Sequence, residues 1–158
     1  SNWTGWWMKS VMPEAQPAGC VMAFDFGTQK MGLAVGHPLT GSATPLLVFP
    51  MRDGIPDWPA LLQRLAEWQP VLCVVGLPLN MDDSESLLSQ RARKFARRLQ
   101  HQTRLPVWML DERLSTREGR DRQAQIRQTR KGRVPSADSL AAVALLECWF
   151  AEPVGLPP

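Results

Sequence analysis

Three short apolar runs constrain this chain more than anything else in it. "CVMAFDF" (20–26), "VLCVVG" (71–76) and "PVWML" (106–110) are too short for buried helices and too continuously apolar for surface strands. Runs of this kind, bounded by turn residues, read as buried strands, the first of them suited to a central place in a sheet. Helical periodicity returns between them, as an α/β domain with a mixed sheet requires. "DWPALLQRLAEWQ" puts Trp58, Leu61, Leu62 and Leu65 on one helical face and stops at Pro70. Further on, Leu88, Ala92, Phe95, Ala96 and Leu99 form an apolar stripe, with Asp82, Asp83 or Ser84 as the expected cap. The opposite face of that helix carries Arg91, Arg93, Lys94, Arg97 and Arg98.

The remaining elements follow from turn chemistry. "MGLAVGH" comes directly after a tight "GTQK" turn, which predicts a hairpin with the first run, and a third short strand is expected over 44–49. "SADSLAAVALLECWF" reads as a final amphipathic helix capped by Ser136, and a short helix is expected to start at Ser115 or Thr116. Between them "RQAQIRQTRKGRVP" is basic and aperiodic, and is expected to be mobile. The order β-β-β-α-β-α-β-α gives an α/β three-layer domain with a five-stranded mixed sheet flanked by helices. At 158 residues the chain amounts to one domain, placed at 20–150 between an N-terminal tail over 1–19 and a C-terminal tail over 151–158. The first tail holds Trp3, Trp6 and Trp7, with Met8 or Met12 as candidate starts.

Charge is unevenly spread. Fourteen of the 18 Lys and Arg fall between Arg91 and Arg133, against only four of the 15 acids. Such polarity fits either a polyanionic partner, above all nucleic acid, or a solvated helix face. No run is long enough to span a membrane, and Cys20, Cys73 and Cys148 have neither zinc-site nor disulfide spacing. They read as reduced core thiols of a cytoplasmic protein.

Three acidic positions stand out. Asp25 interrupts an apolar strand, where an unpaired charge is costly. Asp111 and Glu112 end the last strand, and Asp138 opens the last helix. Strand ends and a helix N-terminus can meet at one edge of an α/β sheet. Carboxylates gathered there repel unless a dication neutralises them, and hard oxygen ligands select Mg²⁺ or Mn²⁺, one ion or two. Asp138 can equally complement the helix dipole, and Asp111–Glu112–Arg113 can equally form a surface ion-pair cluster. His37 reads as a structural histidine.

"MAFDFGTQKMGLAVGHPLTGSATPL", "VVGLPLNMDDSES", "ARKFARRL", "LDERLSTREGR" and "DSLAAVALLE" together resemble the YqgF/RuvX family, over about Gly19 to Phe150. These are RuvC-like nucleases linked to maturation of the pre-16S rRNA 5′ end, earlier described as Holliday junction resolvases. The resemblance implies an RNase H-like fold and a metal site built from Asp25, Glu112 and Asp138, with Asp111 beside Glu112 as a further catalytic acid. The wider RuvC-like group ends its fourth strand in a carboxylate; Gly76 stands there, so the "DER" motif must supply that ligand. Lys30, Arg113, Ser115 and Thr116 are then placed against the substrate backbone, and Arg97, Lys131 and Arg133 bind it more distantly. The family's usual Lys-Arg pair appears as Gln29-Lys30, and "VPSADS" replaces the commoner lead-in to Asp138.

The implied function is metal-dependent cleavage in pre-16S rRNA processing, with nucleic acid and the ribosome as partners, no membrane, and a monomer or weak homodimer. The alternatives are a resolvase of four-way DNA and a ribosome-assembly factor that binds nucleic acid without turnover.

Overall fold

In the computed structural model, which describes residues 19–114 and 137–158, the three apolar runs are adjacent strands of one sheet, the first two inside it and the third at its end. They are β1 (Val21–Asp25), β6 (Leu72–Leu77) and β7 (Val107–Asp111), all parallel. On the other side of β1, β2 (Lys30–His37) pairs antiparallel as the expected hairpin, with Asp25 opposite Gly32. The described sheet has seven strands in the order β5-β4-β2-β1-β6-β7, with β3 also on β2, rather than five.

The extra strands come from the segment read as one strand over 44–49. It divides into β3 (Ser42–Pro45) and β4 (Phe49–Arg52), and β4 turns back into β5 (Ile55–Pro56). β2 is long enough to serve both partners in succession: His37 to Ala34 pair with β3, and Lys30 and Met31 with β4. Asp53 and Gly54 close the β4–β5 hairpin with φ of 48° and 80°. Two positive φ angles in a two-residue loop suit Asp-Gly, whose twist matches that of paired strands.

Side-chain alternation divides the core in two. Met22 and Phe24 of β1 face α1 (Trp58–Trp68) and α2 (Leu87–Thr103), with Leu61, Leu65, Phe95 and Leu99 closing that layer. Val21 and Ala23 face α3 (Ala137–Ala151), against Val143, Leu146 and Trp149. Ala23, Ala34 and Ala43 line part of this second layer and Gly32 lies under its helix, so α3 packs close to the sheet there.

The caps differ in part from expectation. Asp57 caps α1 by accepting from the Ala60 amide at 3.2 Å. Ser86, not Asp82, Asp83 or Ser84, caps α2, in a reciprocal box with Ser89. Asp82 instead accepts from the Ser84 hydroxyl at 2.5 Å, and these bonds hold its carboxyl below the usual range. The buried stripe of α2 begins at Ser89, whose hydroxyl donates to the Pro78 carbonyl, while Leu88 stays 39% exposed.

The last residues, expected as a tail, dock on the sheet instead. Met109 and Leu156 exchange both amide–carbonyl bonds, at 2.7 and 2.8 Å, and Arg93 donates to the Pro157 carbonyl at 3.1 Å. An exposed strand edge carries unpaired amides, and this segment satisfies those of Met109. The expected short helix from Ser115 or Thr116, the basic 120–133 stretch, the Ser136 cap and the 1–18 part of the N-terminal tail lie outside the described residues. Among the described residues no helix is long and apolar enough to cross a membrane.

Cys73 is fully buried, and burial pushes its thiol far up. Because the thiolate is the reactive form, a thiol titration of the folded protein should leave Cys73 silent. It should react only after denaturation; labelling of Cys73 in the native state would contradict this packing.

Candidate active site

Asp25 is the last residue of β1 and continues the parity of Val21 and Ala23, which face α3. The α3 side of this sheet end is therefore where its carboxylate belongs. Two glycines open the same place. Gly32, opposite Asp25 in register, lies directly beneath the start of α3: a Cβ there would run into the Asp138 carbonyl and lie 2.8 Å from the Ser139 nitrogen. Ser139 anchors that helix start by donating to the Leu46 carbonyl at 2.7 Å. Asp138 thus enters on the first turn of α3, pressed against the strand paired with Asp25.

Gly76 is the second opening. Phe24 pairs with Val75 across the parallel β1–β6 ladder, so Gly76 is next along beside Asp25. A Cβ on Gly76 would lie 2.5 Å from Glu112 Oε1 and 2.9 Å from Cγ. The carboxylate of Glu112, which opens a 3₁₀ turn over Glu112–Leu114, occupies the space a side chain at position 76 would fill. Asp25, Glu112 and Asp138 are brought to one sheet end by three separate elements.

Asp111 has a different environment. The Arg113 guanidinium reaches its two oxygens at 3.0, 3.1 and 2.7 Å, and the Arg113 amide donates to it at 2.9 Å. These bonds hold the Asp111 carboxyl below the usual carboxylate range and push the guanidinium up further. Arg113 also donates to Asp83 at 2.7 Å and to the Asn80 carbonyl at 3.0 Å. It was expected against substrate; here it clamps the β7 end to the β6–α2 loop, which fixes the backbone that carries Glu112.

Lys30 begins β2 and places Nζ 3.2 Å from Asp138 Oδ2. Its side chain is 62% exposed, so this pair is worth under ~1 kcal/mol and yields to a stronger partner. Arg97 is exposed on α2, across the sheet from α3, and Ser115, Thr116, Lys131 and Arg133 lie outside the described residues. His37 accepts from the Leu39 amide at 3.3 Å and shapes its own turn.

The three acids offer only carboxylate oxygen, which suits a hard dication, and the two glycines let the start of α3 and the Glu112 carboxylate lie close against the strands. Among the described residues no three His, Cys, Asp or Glu side chains stand close enough together, as arranged, to form a finished cage.

A family model described as "RuvX: Holliday junction resolvase" matches residues 19–152. The chain belongs to the RuvX family. An Acinetobacter baylyi relative named "Putative pre-16S rRNA nuclease" is 56% identical over 147 residues, covering 93% of this chain and all 100% of the relative. An Edwardsiella ictaluri protein of the same name is 50% identical, over 82% of this chain and 93% of its own. Among solved structures, T. thermophilus RuvC in complex with a Holliday junction substrate superimposes with a TM-score of 0.61 at 16% identity, over 89% of this chain and 100% of that one. T. thermophilus RuvC in a second structure gives 0.58 at 17% identity, over 88% and 99%. At such identities the likeness is one of fold, and the RuvX chain has the RNase H-like architecture of RuvC.

Gly32 was overlooked in the sequence, although a glycine inside a strand is a standing signal of close backbone approach. Lys30 was anticipated as a phosphate contact; its pairing with Asp138 depends on how α3 crosses β2, which spacing along the chain does not give.

Proposed function

We propose that this RuvX-family protein is a metal-dependent nuclease that hydrolyses phosphodiester bonds in processing the 5′ end of pre-16S rRNA in the cytoplasm. The observation that carries the reading is that β1, the turn after β7 and the start of α3 all deliver an acid (Asp25, Glu112 and Asp138) to the same end of the sheet, with glycines at the two crowded positions. The shared name of its relatives supports the substrate.

Asp25, Glu112 and Asp138 would hold one or two Mg²⁺ or Mn²⁺ ions. When bound, such ions neutralise charge at the scissile phosphate and make a water acidic enough to attack at neutral pH. Lys30, whose exposed pair with Asp138 is weak, would be free to meet a phosphate oxygen as a point charge. Arg113 keeps Glu112 in place through its hold on Asp111, and Asp111 itself acts by positioning.

The test compares a pre-16S leader RNA with a four-way DNA junction, each incubated with the protein and Mn²⁺. The leader should be cut and the junction left whole. Cutting of the junction alone would make the protein a resolvase, and tight binding of RNA without turnover would make it an assembly factor.

A further inference from the structure

We propose that the groove between α2 and the β4–β5 hairpin is a second docking site for the phosphodiester backbone of single-stranded RNA, on the sheet face opposite the acids. The inference rests on the reading of RNA as substrate and adds a place where the strand is held away from the cut.

The groove measures about 190 Å³ and is lined by Asp53, Ile55, Trp58, Arg91, Lys94 and Arg98 among others. Arg91, Lys94 and Arg98 are spaced i, i+3, i+7, which stacks them along one side of α2. Arg93 and Arg97 project elsewhere on the helix, and Arg93 is bound to Glu85 at 2.8 Å. Within the groove Asp53 answers one cation, Arg91, at 3.0 Å. Among the described residues Lys94 and Arg98 have no ion pair, so the groove keeps a positive surplus.

Its walls are fixed. The Arg98 guanidinium lies 5.4 Å over the Trp58 ring, and Trp58 stacks on Phe95 at 5.7 Å. Phe95 in turn meets Phe26 at 5.6 Å. A cation held on an aromatic face is preorganised for an anion and loses little freedom on binding it.

The position of Phe26 links groove and acids. Asp25 and Phe26 are successive residues; β1 parity directs Asp25 toward the α3 side, while Phe26 packs in the layer of α1 and α2. The loop after them is tied to the hairpin by Gly54 N–H to Thr28 O and Met51 N–H to Gln29 O, both at 2.8 Å. A strand leaving the acids over this loop arrives in the groove. That path bends sharply around the end of a sheet, which a single strand follows freely and a stiff duplex resists.

The test is binding of a fluorescein-labelled single-stranded leader RNA, in EDTA so that no metal-dependent cutting occurs, followed by anisotropy across a salt series. The Lys94→Gln/Arg98→Gln protein should bind about tenfold more weakly, with a log–log salt slope shallower by about 1.4, as two lost contacts to a single strand imply. Arg104→Gln removes one charge at the far end of α2 and should leave affinity and slope near wild type. An unchanged slope in the double variant would overturn the proposal, as would wild-type protein that does not bind the RNA. The groove is judged without turnover; cleavage by wild-type protein with Mn²⁺ judges the nuclease reading separately.

Discussion

Asp25→Asn should abolish cleavage of the pre-16S leader, by ~10³-fold or more, while affinity for the RNA stays within about twofold. The substitution keeps the shape of the side chain at the end of β1, so the β1–β2 ladder and Asp25's register with Gly32 persist. What it removes is a formal charge at the position flanked by Glu112 and Asp138. Several kcal/mol of transition-state stabilisation depend on ions that such a charge retains, and one lost carboxylate accounts for an effect of this size. Single-turnover cleavage with Mn²⁺ and anisotropy in EDTA, run on the same preparation, separate the two quantities. Equal cutting by wild type and variant would remove Asp25 from the chemistry.

Alanine at the two glycines should separate stability from activity. At Gly32 the new methyl meets the backbone of Asp138 and Ser139, which cannot step aside unless α3 shifts on the sheet. Overpacking against backbone costs about 3 kcal/mol. For a chain of this size the melting temperature should drop by about 6–12 °C. At Gly76 the methyl meets the far end of Glu112, which can rotate away. Melting should therefore change by no more than about 3 °C, or under ~1 kcal/mol, while cleavage collapses because Glu112 has lost its seat. Calorimetry beside cleavage rates reads both. A Gly76→Ala protein as active as wild type would show that the seat is not needed.

Much of this was legible because the signals are local. Apolar runs of strand length separated by helical periodicity lead to parallel strands with crossovers, and the hairpin at "GTQK" follows from turn chemistry. The failures lie where tertiary pairing overrides local pattern. Residues 44–49 look like one strand, but β2 offers two successive pairing stretches and the segment divides between them. Asp82, Asp83 and Ser84 are all good cap residues, yet Asp83 is pulled onto Arg113 and Ser86 caps the helix. At the site, Asp25 stood out as a charge in an apolar run. The distinction between Asp111 and Glu112 could not be read along the chain. It rests on strand parity, on Gly76 leaving space for one of the two, and on Arg113 engaging the other.

The docked C-terminal residues bear on self-association. The two ends of the strand order that runs from β5 to β7 are poor templates for another chain. On one side β5 is two residues long and ends in Pro56, which has no amide to offer. On the other, Leu156 already holds both hydrogen-bonding groups of Met109. A second copy could extend this sheet along β7 only by first stripping Leu156 away, so strand addition is blocked by the molecule's own chain. Among the described residues, β7 therefore offers a partner side chains rather than a free central amide, and Leu156 is what makes it so.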